Sequence, residues 1–173
     1  DIHCAIILDL VGHDVPVPGF EDLLFILGME SDQGLKSVFE NCEQPAGVRV
    51  VPTLNRYMPI DLSDHHVFKE NRRPYMLLPC GHWTHYHEPS DTPDVLNTDK
   101  MAAIACYLLF LATSVTRTRL DGPFEGYDST DTELRALRQY FQAFRDANGL
   151  PIKLEGRRDI DELVGILTTI FGL

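Results

Sequence analysis

At 173 residues, with 44% hydrophobic and 24% charged side chains, the chain can bury a real core and reads as one domain, or one domain with a small appendage. Its formal net charge of -11 argues against a nucleic-acid backbone or an anionic membrane as partner. The four cysteines, Cys4, Cys42, Cys80 and Cys106, form no CxxC pair, which excludes a zinc ribbon and a dense disulfide framework.

The chain opens on Asp1 and a strand-like apolar run, without an initiator Met or a signal peptide, so the expectation is a processed product or a piece of a longer protein. Residues 5–10 (AIILDL) form a continuous apolar run, expected as a strand buried on both faces. Asp9 interrupts it. A carboxylate there either caps a turn near Gly12 or is paired or metal-bound, because desolvating it alone is costly. His13, Asp14, Pro16, Pro18 and Gly19 give turn chemistry, and residues 22–27 (DLLFIL) read as a second strand. Ser31 or Asp32 can cap a helix carrying Leu35, Val38 and Phe39, which Pro45 and Gly47 stop. Val48 to Val51 is a third short strand. Residues 52–61 have prolines and no periodicity, and are expected as an irregular loop.

Ser63 is a natural N-cap for a short helix to about Asn71. Pro74 then begins a buried strand, Tyr75 to Leu78, which empties into a loop holding His82, His85 and His87. Glu88, Asp91 and Asp94 follow closely. Three of the chain's seven histidines thus fall within six residues, beside carboxylates. Neutral imidazole is the commonest protein ligand for zinc, and open α/β sheets place ligands at the carboxyl ends of their strands. The plainer reading is a solvated histidine-rich loop. Asn97 or Thr98 caps a long helix to about Thr116, whose apolar face is expected to hold Met101, Ile104, Ala105, Leu108 and Leu109. Its apolar stretch, Met101 to Val115, is shorter than the ~20 residues of a membrane span and is expected as a core helix. After Gly122-Pro123 come two further helices, roughly 130–148, closed by Gly149, and 160–171. The first is apolar along Leu134, Leu137, Tyr140, Phe141 and Phe144, the second along Leu163, Ile166, Leu167 and Ile170. They either pack on the sheet or form a partner surface. The alternation of strands and helices points to an α/β sheet covered by helices.

Three stretches, AIILDLVG, LSDHHVF and HYHEPSDTPDVL, in this order and ending in a helix, resemble the C-terminal half of the zinc exopeptidase family. That family contains the co-catalytic aminopeptidases, the glutamate carboxypeptidases and the glutaminyl cyclases. The resemblance implies a partial three-layer α/β/α sandwich over residues 1–120, with a helical extension over 121–173. It implies that Asp9 binds one zinc ion and His87 the other, that Asp64 and His65 support the site, and that Asp91 orients a ligand histidine. His82 and His85 match no ligand. His13-Asp14 is superficially like a ligand motif but follows the strand that such a motif should precede.

The family's first ligand histidine, bridging aspartate and paired glutamates should lie before the LDL strand, and no Glu-Glu pair occurs in this chain. One of those glutamates is the general base, so the chain alone is expected to be inactive. The leading expectation is the C-terminal portion of a zinc-dependent aminopeptidase-like hydrolase acting on peptides. The alternatives are a glutaminyl-cyclase-like acyltransferase and a non-catalytic interaction domain with the same fold. Part of the specificity pocket is expected from residues 52–61. Open sheet edges would make the chain self-associate or dock a missing half.

Overall fold

The computed structural model describes residues 2–58, 62–121, 126–147 and 153–171. Among the described residues, four short strands form two parallel pairs. Strand β1 (Ala5–Leu8) runs beside β4 (Tyr75–Leu78), in register from Ala5 with Tyr75 to Leu8 with Leu78. Strand β2 (Leu23–Ile26) runs beside β3 (Arg49–Pro52), in register from Leu23 with Arg49 to Ile26 with Pro52. An antiparallel contact joins the pairs. Leu27 and Leu77 exchange N–H···O bonds of 2.8 and 3.0 Å, and Phe25 N–H donates to Pro79 at 2.9 Å. The order across the molecule is therefore β1, β4, β2, β3.

Position in this order explains the strands' composition. All four β4 side chains are buried, as expected of an apolar run between two neighbours, and each large one contributes roughly 2 kcal/mol by leaving water. The expectation that β1 is buried on both faces is corrected. Its strand ends at Leu8, it pairs only with β4 among the described residues, and Leu8 is 42% exposed. An apolar run announces a buried strand but not whether both of its edges are paired.

The helices differ from the sequence reading mainly in which groups cap and which face is buried. Helix α1 (Gly34–Glu40) buries Leu35, Val38 and Phe39 and follows a short 3-10 turn, Met29–Ser31. Asp32, one of the two expected caps, accepts the Gly34 N–H at 2.7 Å and the Asp121 N–H at 2.9 Å. Helix α2 (His65–Glu70) starts after Asp64, not Ser63; Asp64 has helical backbone angles and makes no capping bond. Residues 52–61 are less irregular than expected, since Pro52 closes β3 and Asn55–Tyr57 form a 3-10 turn. Residues 59–61 lie outside the described residues.

Helix α3 (Thr98–Arg117) is capped by Asn97, whose side chain accepts the Lys100 N–H at 2.9 Å. Its buried face is Ile104, Tyr107, Leu111 and Val115, packed beside α1; Met101, Ala105 and Leu109, expected inside, are exposed. The helix is apolar on every side, so periodicity carries no information about its inner face. The helix also runs to 20 residues and is, by length and composition, apolar enough to cross a membrane, a test that a core helix passes as well.

Helices α4 (Thr130–Ala147) and α5 (Arg157–Phe171) close the β3 end of the sheet. Phe141 stacks on Phe20 with ring centroids 4.6 Å apart, and Tyr140 O–H donates to Gln44 at 2.7 Å. The two helices are tied to each other by Glu133, fully buried, which accepts two bonds from the Arg157 guanidinium at 2.6 and 2.7 Å and one from Ser129 at 2.6 Å. The expected C-cap Gly149 lies outside the described residues.

Candidate functional site

Parallel strands end on the same side of a sheet, so β1 and β4 deliver their following segments to one place. Asp9 is the first residue after β1. Leu10 then takes a left-handed backbone (φ 50°), and its carbonyl accepts the Cys80 N–H at 3.0 Å, which fastens the two strand ends together. Asp9 is half-buried and makes no hydrogen bond or ion pair among the described residues, so it does not serve as a turn cap. Left-handed geometry in a non-glycine residue is strained, and here the strain sits next to a carboxylate with nothing to hold.

From Gly81 the histidine loop folds back on itself through Trp83, the single tryptophan of the chain. Its indole lies between His13, stacked at 4.5 Å, and His85, tilted at 4.7 Å, and its Nε1–H donates to Asp91 at 3.1 Å. His85 Nδ1 is 2.8 Å from Ser90 Oγ. His13 and Trp83 thus lock the loop after β1 to the loop after β4. Nothing in the sequence joined these two residues, although a lone tryptophan among histidines was a visible signal.

His13 is 2% exposed, and its Nε2 is buried without a hydrogen-bond partner among the described residues. Burial, and next the nearby Lys100 ammonium, push its pKa down to about 4, so the ring is neutral at pH 7. Lys100 itself is 2% exposed, and its ammonium donates to the carbonyls of His13 and Glu21 at 2.8 and 2.7 Å. Burial lowers its pKa. A lysine in the first turn of a helix reads from sequence as solvated; here two loop carbonyls replace water.

The residues singled out by resemblance are distributed around this lock. His87 is exposed, has a left-handed backbone (φ 60°), and stacks on Tyr86 at 3.9 Å. Asp91 holds the Trp83 indole. His65 is fully buried, its ring 5.6 Å from that of Tyr75 in β4, while Asp64 beside it is exposed. His82 is exposed at the loop's start. Among the described residues no group of three or more His, Cys, Asp or Glu is placed to hold a metal ion. One carboxylate and one imidazole are two ligands, whereas an open catalytic zinc site needs three from protein. The residues present do not by themselves fit a zinc ion.

An apolar pocket of about 130 Å³ opens on the other side of the same strand end. Leu27, Pro79 and Gly81 line its sheet side, Tyr57 and Met58 come from the 52–61 segment, and Leu167 of α5 closes it. Asp161, nearly two turns earlier in α5, accepts bonds from Tyr57 and Arg56 and so fixes that helix over the pocket.

A family model described as Peptidase family M28 matches residues 1–112, more than half of the chain. The chain belongs to peptidase family M28. No curated protein and no solved structure matches it. The M28 match spans β1 to most of α3, and so includes Asp9, both anchors of the loop lock and all three histidines of the loop. Helices α4 and α5 lie beyond it, and with them one wall of the apolar pocket. Membership of M28 makes the chain a peptidase-like metallohydrolase at the level of family.

Proposed function

We propose that this M28 chain is the C-terminal portion of a zinc-dependent aminopeptidase, which removes N-terminal residues from peptides. The observation that carries the reading is the shared strand end. The M28-matched segment sets Asp9 and the His87 loop on two parallel neighbours joined through Leu10 and Cys80. Asp9 and His87 then give one ligand each, with the remaining ligands and the general base supplied by polypeptide outside this chain. An Asp9 with no partner of its own suits this role. Asp91 acts indirectly by holding Trp83, and so the loop, in place, while Asp64 and His65 support the strand end from α2. The pocket under α5 is the seat for an apolar side chain of the substrate; at about 130 Å³ it approaches the roughly 150 Å³ that holds a benzene-sized group.

The test is hydrolysis of leucyl, aspartyl and lysyl reporter substrates by the polypeptide that carries this chain with its upstream sequence. Leucyl turnover is expected, abolished by chelation and by Asp9→Asn or His87→Ala, and reduced about 10- to 100-fold by Asp91→Ala. Cyclisation of an N-terminal glutamine in place of hydrolysis would move the assignment to the acyltransferase class. Absence of both zinc and turnover in that polypeptide would leave a binding domain.

A further inference from the structure

The apolar pocket beside the strand end has walls from two sources. Leu27 and Pro79 lie within the M28-matched residues, whereas Val164 and Leu167 belong to α5, which lies beyond the match. These two side chains stand one turn apart on one face of the helix, so both reach the pocket together; Leu167 is buried and Val164 half-buried. Polar contacts outside the pocket fix where that face sits. Asp161 in the second turn of α5 accepts bonds from Arg56 and from the Tyr57 hydroxyl. Arg157 in the first turn donates to both carboxylate oxygens of Glu133 in α4, at 2.6 and 2.7 Å, and to the Tyr57 hydroxyl at 3.4 Å. Tyr57 therefore has its ring on the pocket and its hydroxyl on α5. Charge-assisted bonds of this kind are strong and directional, so the helix is held at a set distance from the sheet and the pocket has a set width.

We infer that α5 is the size filter of this pocket: Leu167 and Val164 admit a branched aliphatic or single-ring side chain and reject a two-ring one. The inference rests on the assignment of the pocket to a substrate side chain and names the residues that select it. Volume sets the limit. At about 130 Å³ the pocket is slightly smaller than the roughly 150 Å³ cavity that takes up benzene, so a leucyl group has room, a phenyl ring fills the space and an indole overfills it. Chemistry sets the class. No charged side chain lines the pocket among the described residues, so a lysyl or aspartyl group would lose its water there without gaining a partner. A difference of one methylene in such a pocket changes selection by about 10- to 200-fold, which is the scale on which Leu167 and Val164 act. Selection then lies with a helix that the family match does not include, while Asp9 and His87 stand inside the match.

Two probes that need no metal, benzene and indole, give the test. Each is titrated into the 173-residue chain and followed by the methyl NMR signals of Leu27, Val164 and Leu167, with circular dichroism to show that every variant is folded. Benzene is expected to shift these signals and indole to leave them in place. Leu167→Ala is expected to admit indole, changing the preference between the probes by about tenfold or more. Val164→Phe narrows the same wall by addition and is expected to lose benzene, while Leu167→Met, which conserves volume, should behave as the parent chain. In the polypeptide that includes the upstream sequence, Leu167→Ala should raise the tryptophanyl-to-leucyl ratio of kcat/KM by about tenfold or more. A parent chain that takes both probes or neither overturns the inference. So do variants that leave the probe preference unchanged, or a kcat/KM ratio that Leu167→Ala does not move. Failure of the peptidase reading looks different: probe selection follows α5 as stated, which supports the filter, and no reporter is hydrolysed.

Discussion

The two ends of the sheet are finished in opposite ways. At the β3 end, α4 and α5 cover the strands, aromatic rings stack, and Glu133 and Arg157 satisfy each other inside. At the β1 end, nothing among the described residues pairs with the outer strand edge or bonds to Asp9, and two residues with left-handed backbones, Leu10 and His87, flank the loops. Buried, satisfied groups hold the first end together. The M28 match ends within α3, so the stabilising end includes helices the family match does not cover, while the chemically marked end lies inside it.

This contrast can be broken or sharpened by substitution. The largest effect is expected from Glu133→Ala, which removes both carboxylate bonds of the Arg157 guanidinium, leaves it Thr130 and Tyr57, and should cost about 3 kcal/mol in chemical denaturation. If it cost no more than a surface substitution, the β3 end would not be the stabilising one. Next comes acid. His13 has a folded pKa of about 4, below its unfolded value of about 6.5, so on acidification the unfolded chain takes the proton first. The stability held above pH 6.5 should therefore be lost as the pH falls toward 4, by roughly 3 kcal/mol in all. Trp83 fluorescence should report the change, and His13→Phe, which keeps an aromatic ring on the indole, should flatten that part of the profile.

Smaller still, Trp83→Ala should lower global stability by about 1 kcal/mol while sharply speeding hydrogen exchange through residues 82–91. Equal acceleration at both ends of the sheet would show that the lock is not local. The smallest effect on stability is expected for Leu109→Glu, within about 0.5 kcal/mol at a site so exposed.

The parts legible in the sequence are those written in local signals. Strand β4 was bounded correctly by Pro74 and by the loop after Leu78, and Asn97 declared itself as a cap through its side chain and position. The motif residues that carry the family, from the LDL aspartate to the HYHEPSDT loop, stand in contiguous text. What stayed hidden depends on neighbours far along the chain. No pattern in residues 5–10 says that one edge of β1 lacks a partner. Helix α3 is apolar all round and so names no inner face. His13 and Trp83 are 70 positions apart and meet only because two parallel strands end together. Lys100 is buried because two loop carbonyls happen to converge on it.

The central claim is that Asp9 and His87 are two halves of one metal site completed from outside this chain. Zinc calorimetry tests it most directly, on the 173-residue chain and on the polypeptide that includes its upstream sequence, each with Asp9→Ala and His87→Ala beside it. The account predicts weak binding to the short chain, tight binding to the long one, and loss of the tight binding in both variants. Tight binding to the short chain that survives both substitutions, or a long chain that binds no zinc, would contradict it.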